Sequence, residues 1–187
     1  MNKAELRLKY KSLRQQLTEE QIDQFSIDIA NQLLKLSIWD YNVYHLFLTI
    51  ESQKEIQTEF ILNILSGKDK NIAISKSDFE TNTLTNYLLS DNTTLKLNQY
   101  NIPEPVSGIE VPNHMIDVVF IPLLAFDLKG NRVGYGKGFY DNFLATCKPK
   151  TLKIGLSFFE AEAEINDVFE GDIALDYCVT PDRVYEF

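Results

Sequence analysis

Asp117–Leu144 reads DVVFIPLLAFDLKGNRVGYGKGFYDNFL, and this stretch decides the fold class. Its apolar run Val118–Phe126 is nine residues long, too short to span a bilayer and suited to a central strand. Lys129-Gly130-Asn131 turns the chain. Gly134, Gly136 and Gly138 then alternate with Tyr135 and Lys137, between Arg132 and Asp141. Glycines let backbone amides approach an anion closely, and a helix opening near Tyr140 adds partial positive charge. Arg132 and Lys137 add full charges, and Asp141 stands where a carboxylate can hold a metal ion bridging phosphates. The spacing of GYGKGFYD fits neither the Walker A loop nor the dinucleotide fingerprint. Read by itself, a three-glycine loop is equally a plain strand-to-helix connection.

Working outward, helical and extended segments alternate. Leu6, Tyr10, Leu13 and Leu17 have helical spacing, which predicts an amphipathic helix over 2–17. Lys3, Arg7 and Arg14 share another face of it. Thr18-Glu19-Glu20-Gln21 reads as a capping box opening a second helix, with Ile22, Phe25, Ile29 and Leu33 as its buried stripe. Strands are expected at Val43–Thr49, Asn71–Ser75, Thr94–Leu97, Asp117–Phe126, Lys153–Ser157 and Tyr177–Thr180. Further helices are expected at Thr58–Leu65, closed by Gly67, at Leu84–Leu89 and at Tyr140–Thr146. The predicted fold is α/β, a single domain over 1–187 with a mostly parallel open sheet flanked by helices on both faces. Ligands of such sheets lie beyond the carboxyl ends of strands, where the glycine loop is expected to start.

Composition is that of a globular protein, 44% hydrophobic and 24% charged. The net charge of −9 argues against a nucleic-acid partner. Residues 1–17 nevertheless carry Lys3, Arg7, Lys9, Lys11 and Arg14 against Glu5 alone, whereas 159–187 hold nine carboxylates against Arg183. The cationic first helix is either a solvated face or an anion site. Cys147 and Cys178 form no framework or zinc spacing, and His45 and His114 are the only histidines. Reduced cysteines and the lack of an apolar leader fit a cytoplasmic protein, with no membrane partner. The expected assembly is a monomer or weak dimer.

The string FD-x-x-GNR-x-G-x-GKG-[FY]-YD over Phe126–Asp141 resembles the signature of the 5-formyltetrahydrofolate cyclo-ligases. Four other segments resemble that family in the same order. They are Lys3-x-x-x-Arg7; Leu48 followed by Glu55-Ile56-Gln57-Thr58; Tyr100-Asn101-Ile102-Pro103-Glu104-Pro105; and Gly171-Asp172 through Asp176 to Thr180. The resemblance implies that ATP and 5-formyltetrahydrofolate give 5,10-methenyltetrahydrofolate, ADP and phosphate, with Mg2+. It also implies roles. Lys3 and Arg7 would clamp the ATP phosphates. Arg132, Gly134, Tyr135, Gly136, Lys137, Gly138, Phe139 and Tyr140 would form the ATP-binding loop. Lys137 and Arg132 would be the catalytic cations that offset charge on the moving phosphoryl group. Asp141 and Asp172 would hold the metal, with Asp176 as the competing second carboxylate. Glu55 would bind the pterin amine and amide edge, with Leu48, Tyr100, Tyr135 and Phe139 around the folate. Many family members carry Tyr where this chain has Phe139. The rival readings are an α/β enzyme with another acceptor, such as a sugar-phosphate isomerase or coenzyme A transferase, and a non-catalytic folate or nucleotide module.

Overall fold

The computed structural model describes residues 1–187. Helix α1 (Lys3–Gln15) opens with a capping box, because the Asn2 side chain accepts from the Glu5 amide and Glu5 accepts from the Asn2 amide, both at 2.9 Å. Helix α2 (Glu19–Leu33) opens with the expected Thr18–Gln21 box and buries Ile22, Ile29 and Leu33. Strand β1 (Val43–His45) follows, then α3 (Glu59–Gly67), β2 (Asn71–Asp78), β3 (Thr83–Leu88), β4 (Leu95–Leu97) and β5 (Pro103–Pro105). The chain continues through β6 (Val118–Pro122), β7 (Ala125–Phe126), β8 (Arg132–Val133), α4 (Phe139–Ala145), β9 (Leu152–Leu156), β10 (Tyr177–Val179) and β11 (Val184–Glu186).

Seven strands form one sheet in the order β11-β10-β9-β6-β1-β2-β3. Its five inner strands run parallel, and β3 and β11 close the edges antiparallel. Strand β6 is central, as its apolar run predicts, and it is buried on both faces. Alternation sends Val118 and Phe120 into the cluster under α2 and α3 (Ile29, Leu33, Ile61, Leu65). It sends Val119 and Ile121 to the opposite face, against Phe143 and Leu144 of α4. Each such side chain contributes about 1.5–3 kcal/mol of burial. Helices therefore cover both faces of the sheet. The first helix stands apart from the two main clusters: Leu6 and Tyr10 pack on Leu124, Ala125 and Val133.

Three expectations change. The helix expected at Leu84–Leu89 is strand β3, zipped to β2 from Ala73↔Leu88 to Asp78↔Thr83. Its hairpin turns at Asn82, whose φ is +54°, after an Asx turn in which Asp78 accepts from the Glu80 amide at 2.8 Å. The strand expected to run from Asp117 to Phe126 stops at Pro122, which has no N–H to offer the ladder. Ala125–Phe126 then pairs with Arg132–Val133 as a separate hairpin, so the glycine loop leaves that hairpin rather than the central strand. Strand β1 ends at His45, and Phe47 and Leu48 bend toward the site.

Candidate active site

The parallel strands β10-β9-β6-β1-β2 wind outward in two directions: β1 to β2 on one side, and β6 through β9 to β10 on the other. The reversal lies between β1 and β6, and ligands of open α/β sheets collect outside such a switch point. A cleft of about 710 Å³ opens there, beneath Phe47 and Leu48 after β1, Ser75 and Ser77 on β2, and Pro122 at the end of β6.

One end of the cleft is cationic. Helix α1 brings Lys3, Arg7 and Lys11, and the glycine loop brings Arg132 and Lys137. Arg7 Nε donates to the Gly134 carbonyl at 2.9 Å, so α1 is fastened directly to the loop. Gly136 and Gly138 have φ of +90° and +74°, a region that disfavours other residues. A Cβ on Gly136 would also meet the Arg7 guanidinium at 3.2 Å. Lys137 is exposed and makes no hydrogen bond or ion pair, so its ammonium is available to a ligand.

Two carboxylates face the same end. Asp141 Oδ1 accepts from Arg132 Nη2 at 2.7 Å and from the Ile173 amide at 3.1 Å. That second bond sets Asp172 beside it. Asp172 pairs with the Lys3 ammonium and accepts from the Phe169 amide at 2.6 Å. Burial pushes the Asp172 carboxyl up, but the Lys3 and Phe169 hydrogen bonds outweigh it and hold its pKa below the ordinary value. Asp176, the competing carboxylate, lies elsewhere: it accepts from the Lys153 amide at 2.8 Å and pairs with the Lys153 ammonium. No three His, Cys, Asp or Glu side chains converge into a closed metal cage. Mg2+ characteristically takes one or two carboxylates plus substrate phosphates and water, so Asp141 and Asp172 are a fitting donor pair.

The other end is aromatic and holds one buried carboxylate. Glu55 is 3% exposed. Its Oε2 accepts from the Ile50 amide at 2.9 Å and its Oε1 from the Tyr135 hydroxyl at 2.7 Å. Burial raises the Glu55 carboxyl above the usual range, opposed by the Tyr135 hydroxyl, the Ile50 amide and the Arg14 charge. Each oxygen keeps a second lone pair for a ligand donor. Burial and the Glu55 charge push the Tyr135 phenol far up, so it stays a donor. Burial and then Glu55 do the same to Tyr140. Phe79 stands 4.2 Å from Tyr100 and 5.1 Å from Phe139, ring centre to ring centre. Tyr100 is half-exposed, and the Phe139 ring meets Phe79 edge-on.

Every site residue expected from the sequence borders this one cleft. Phe79, Asp167 and Phe169 also border it and were not expected, and Arg14 stands behind it, bonded to the Tyr135 hydroxyl. Phe79 is a lone aromatic residue at a hairpin tip, and only the hairpin reveals its direction. Lys3 and Arg14, readable as a solvated helix face, are 8% and 4% exposed. Asp167 accepts from the Lys3 amide at 2.6 Å, which pins the start of α1 to the far loop.

Residues 1–178 match the model of the 5-formyltetrahydrofolate cyclo-ligase family. The chain is 30% identical to the 5-formyltetrahydrofolate cyclo-ligase of Haemophilus influenzae over 82% of this chain and 84% of that protein. It is 26% identical to a probable 5-formyltetrahydrofolate cyclo-ligase of Schizosaccharomyces pombe over 98% and 97%. The solution structure of Aquifex aeolicus 5,10-methenyltetrahydrofolate synthetase superposes with a TM-score of 0.84 at 30% identity, covering 100% of this chain and 93% of that one. A Mycoplasma pneumoniae 5,10-methenyltetrahydrofolate synthetase shares the fold, with a TM-score of 0.76 at 20% identity over 97% and 99%. With its switch-point cleft and its match over residues 1–178, the chain belongs to the 5-formyltetrahydrofolate cyclo-ligase family of enzymes.

Proposed function

We propose that this chain, working as one catalytic unit, closes 5-formyltetrahydrofolate to 5,10-methenyltetrahydrofolate at the expense of ATP. The observation that carries this reading is the two-ended cleft: cations and paired carboxylates at one end, aromatic rings and Glu55 at the other. A substrate joining a phosphate donor to a flat heterocycle needs both ends in one space.

The formyl group on the folate nitrogen is an amide, whose carbon is a poor electrophile and whose oxygen is a poor leaving group. In the proposed reaction the formyl oxygen attacks the γ-phosphorus and the bond to ADP breaks. The neighbouring folate nitrogen then attacks the activated carbon and loses its proton. Phosphate departs with the formyl oxygen, leaving the methenyl bridge. Positioning and charge stabilisation are the protein's main contributions to such a transfer. Lys3, Arg7, Arg132, Lys137 and the loop amides hold the phosphates. When bound, Mg2+ offsets phosphate charge, held by Asp141 and Asp172. Lys3 and Arg132, paired here with Asp172 and Asp141, would turn to phosphate with ATP bound and leave those carboxylates to hold the metal. Glu55 accepts the pterin amine and amide edge, a two-donor pattern matched to a carboxylate. Phe79, Tyr100 and Phe139 flank the ring system, with Leu48 closing the cleft.

The test is a rise in methenyl absorbance in the near ultraviolet when protein, 5-formyltetrahydrofolate, Mg2+ and ATP are mixed. The rise should vanish when ATP is omitted. A flat trace from folded protein that binds ATP would move the phosphate site to a different acceptor.

A further inference from the structure

Arg14 has no place in the reaction as derived so far, yet it is one of the most buried charges in the molecule, 4% exposed. Its Nη1 donates to the Tyr135 hydroxyl at 2.8 Å and its Nη2 to the Leu123 carbonyl at 2.7 Å. Its Nε has no partner at all. A buried unmatched donor costs stability, so packing alone does not account for a guanidinium here. The Tyr135 hydroxyl passes the contact on to Glu55 Oε1 at 2.7 Å, and Glu55 is fixed from its other side by the Ile50 amide. A continuous line of donors thus runs from Arg14 through a phenol to the carboxylate at the aromatic end.

The start of that line matters as much as its end. Lys3, Arg7 and Arg14 lie four and seven residues apart, on one face of the rigid helix α1. Arg7 grips the carbonyl of Gly134 and Arg14 the hydroxyl of the very next residue. Phosphate that draws Lys3 and Arg7 inward therefore seats the same helix that seats Tyr135.

We propose that Arg14 is a positioning residue that aligns Glu55 through the Tyr135 hydroxyl, and so couples occupancy of the phosphate end to folate binding at the other. The proposal rests on the functional reading above. Arg14 and Tyr135 oppose the burial that raises the Glu55 carboxyl, so breaking the line misdirects Glu55 and pushes it further toward the form that presents one O–H donor in place of an acceptor. Linkage requires the effect to be mutual, so bound folate must tighten nucleotide by the same factor.

The test is calorimetric titration of 5-formyltetrahydrofolate into the full chain, with and without a non-hydrolysable ATP analogue and Mg2+. Arg14→Gln and Tyr135→Phe are compared with the unaltered protein. The unaltered protein should bind folate roughly 5- to 150-fold more tightly when the analogue is present. Both variants should lose that gain and weaken folate binding by about 10- to 100-fold, the cost of one charge-assisted hydrogen bond. In Arg14→Gln, which alters no residue of the ATP-binding loop, the analogue's own affinity, measured without folate, should stay within about twofold. The double variant should add nothing beyond either single one. Retained coupling in both variants, or equal loss of folate and analogue affinity, overturns the proposal. If Arg14→Gln fails to fold, Tyr135→Phe decides alone, since it keeps the ring and removes only the hydroxyl. An unaltered protein that binds no folate would instead sink the functional reading.

Discussion

In the proposed reaction Lys137 and Glu55 divide the site's chemistry between them, and their surroundings are opposite. Lys137 is exposed and free of partners, so Lys137→Ala should leave thermal stability unchanged while lowering turnover about 10²- to 10³-fold, the usual loss for one preorganised charge contact. Near-normal initial rates would remove it from the phosphate site. Glu55 is buried and bonded on both oxygens, so Glu55→Gln keeps the shape but exchanges an acceptor for a donor. Its folate KM should rise more than its ATP KM; an unchanged folate KM would refute the pterin role. Phe139 offers no hydroxyl, and its ring meets Phe79 edge-on. Lys137 and Phe139 were legible in the sequence because they sit in a short, chemically unusual string, and Glu55 because Glu55-Ile56-Gln57-Thr58 resembles a segment of the family. Arg14 was not, because a charge on an amphipathic helix defaults to solvent and only tertiary packing shows that this one is buried.

At the scale of elements, the glycine loop owes its shape to the hairpin before it. Asp127 is fully buried and accepts from the amides of Lys129 and Asn131, the Asn131 side chain and the Ile165 amide, all within 3.0 Å. Asp127→Ala would orphan these donors and should destabilise the protein by about 3 kcal/mol or more, read from urea unfolding. A loss under about 1 kcal/mol would show that the turn holds without it. Gly136→Ala should act locally, forcing a side chain into φ +90° against Arg7 and raising the ATP KM more than the folate KM. Helices α1 and α2 and strand β6 were readable from period and capping. Strand β3 was not: its mixed burial follows from lying at a sheet edge, and Leu84, Leu88 and Leu89 mimic a helical stripe. The break after Pro122 was equally hidden, since the apolar run continues unbroken across it while the ladder does not.

For the whole molecule, the switch point between β1 and β6 sets where the cleft opens, and on its β1 side a buried polar chain runs toward β2 and β3. His45 ends β1 fully buried; its Nε2 lies 2.6 Å from Ser75 Oγ, which donates to Asn86 Oδ1 at 2.7 Å. Burial lowers the His45 pKa from 6.5 to about 3. Below pH 6.5 the unfolded chain therefore binds a proton that the folded one refuses. Stability supplied by neutral His45 is complete above that pH and drains away as pH falls toward 3, by up to about 1.4 kcal/mol per pH unit. Chemical denaturation of His45→Gln across this range should show a shallower acid slope than the unaltered protein; matching slopes would refute a neutral buried imidazole.

The central claim is that the cleft brings the γ-phosphate of ATP onto the formyl oxygen. The most direct measurement uses 5-formyltetrahydrofolate labelled with oxygen-18 in the formyl group, and follows the label by mass spectrometry of the released phosphate. The account predicts one labelled oxygen in each inorganic phosphate, formed in step with the methenyl product. Label appearing in water, with phosphate drawing its new oxygen from solvent, would contradict it.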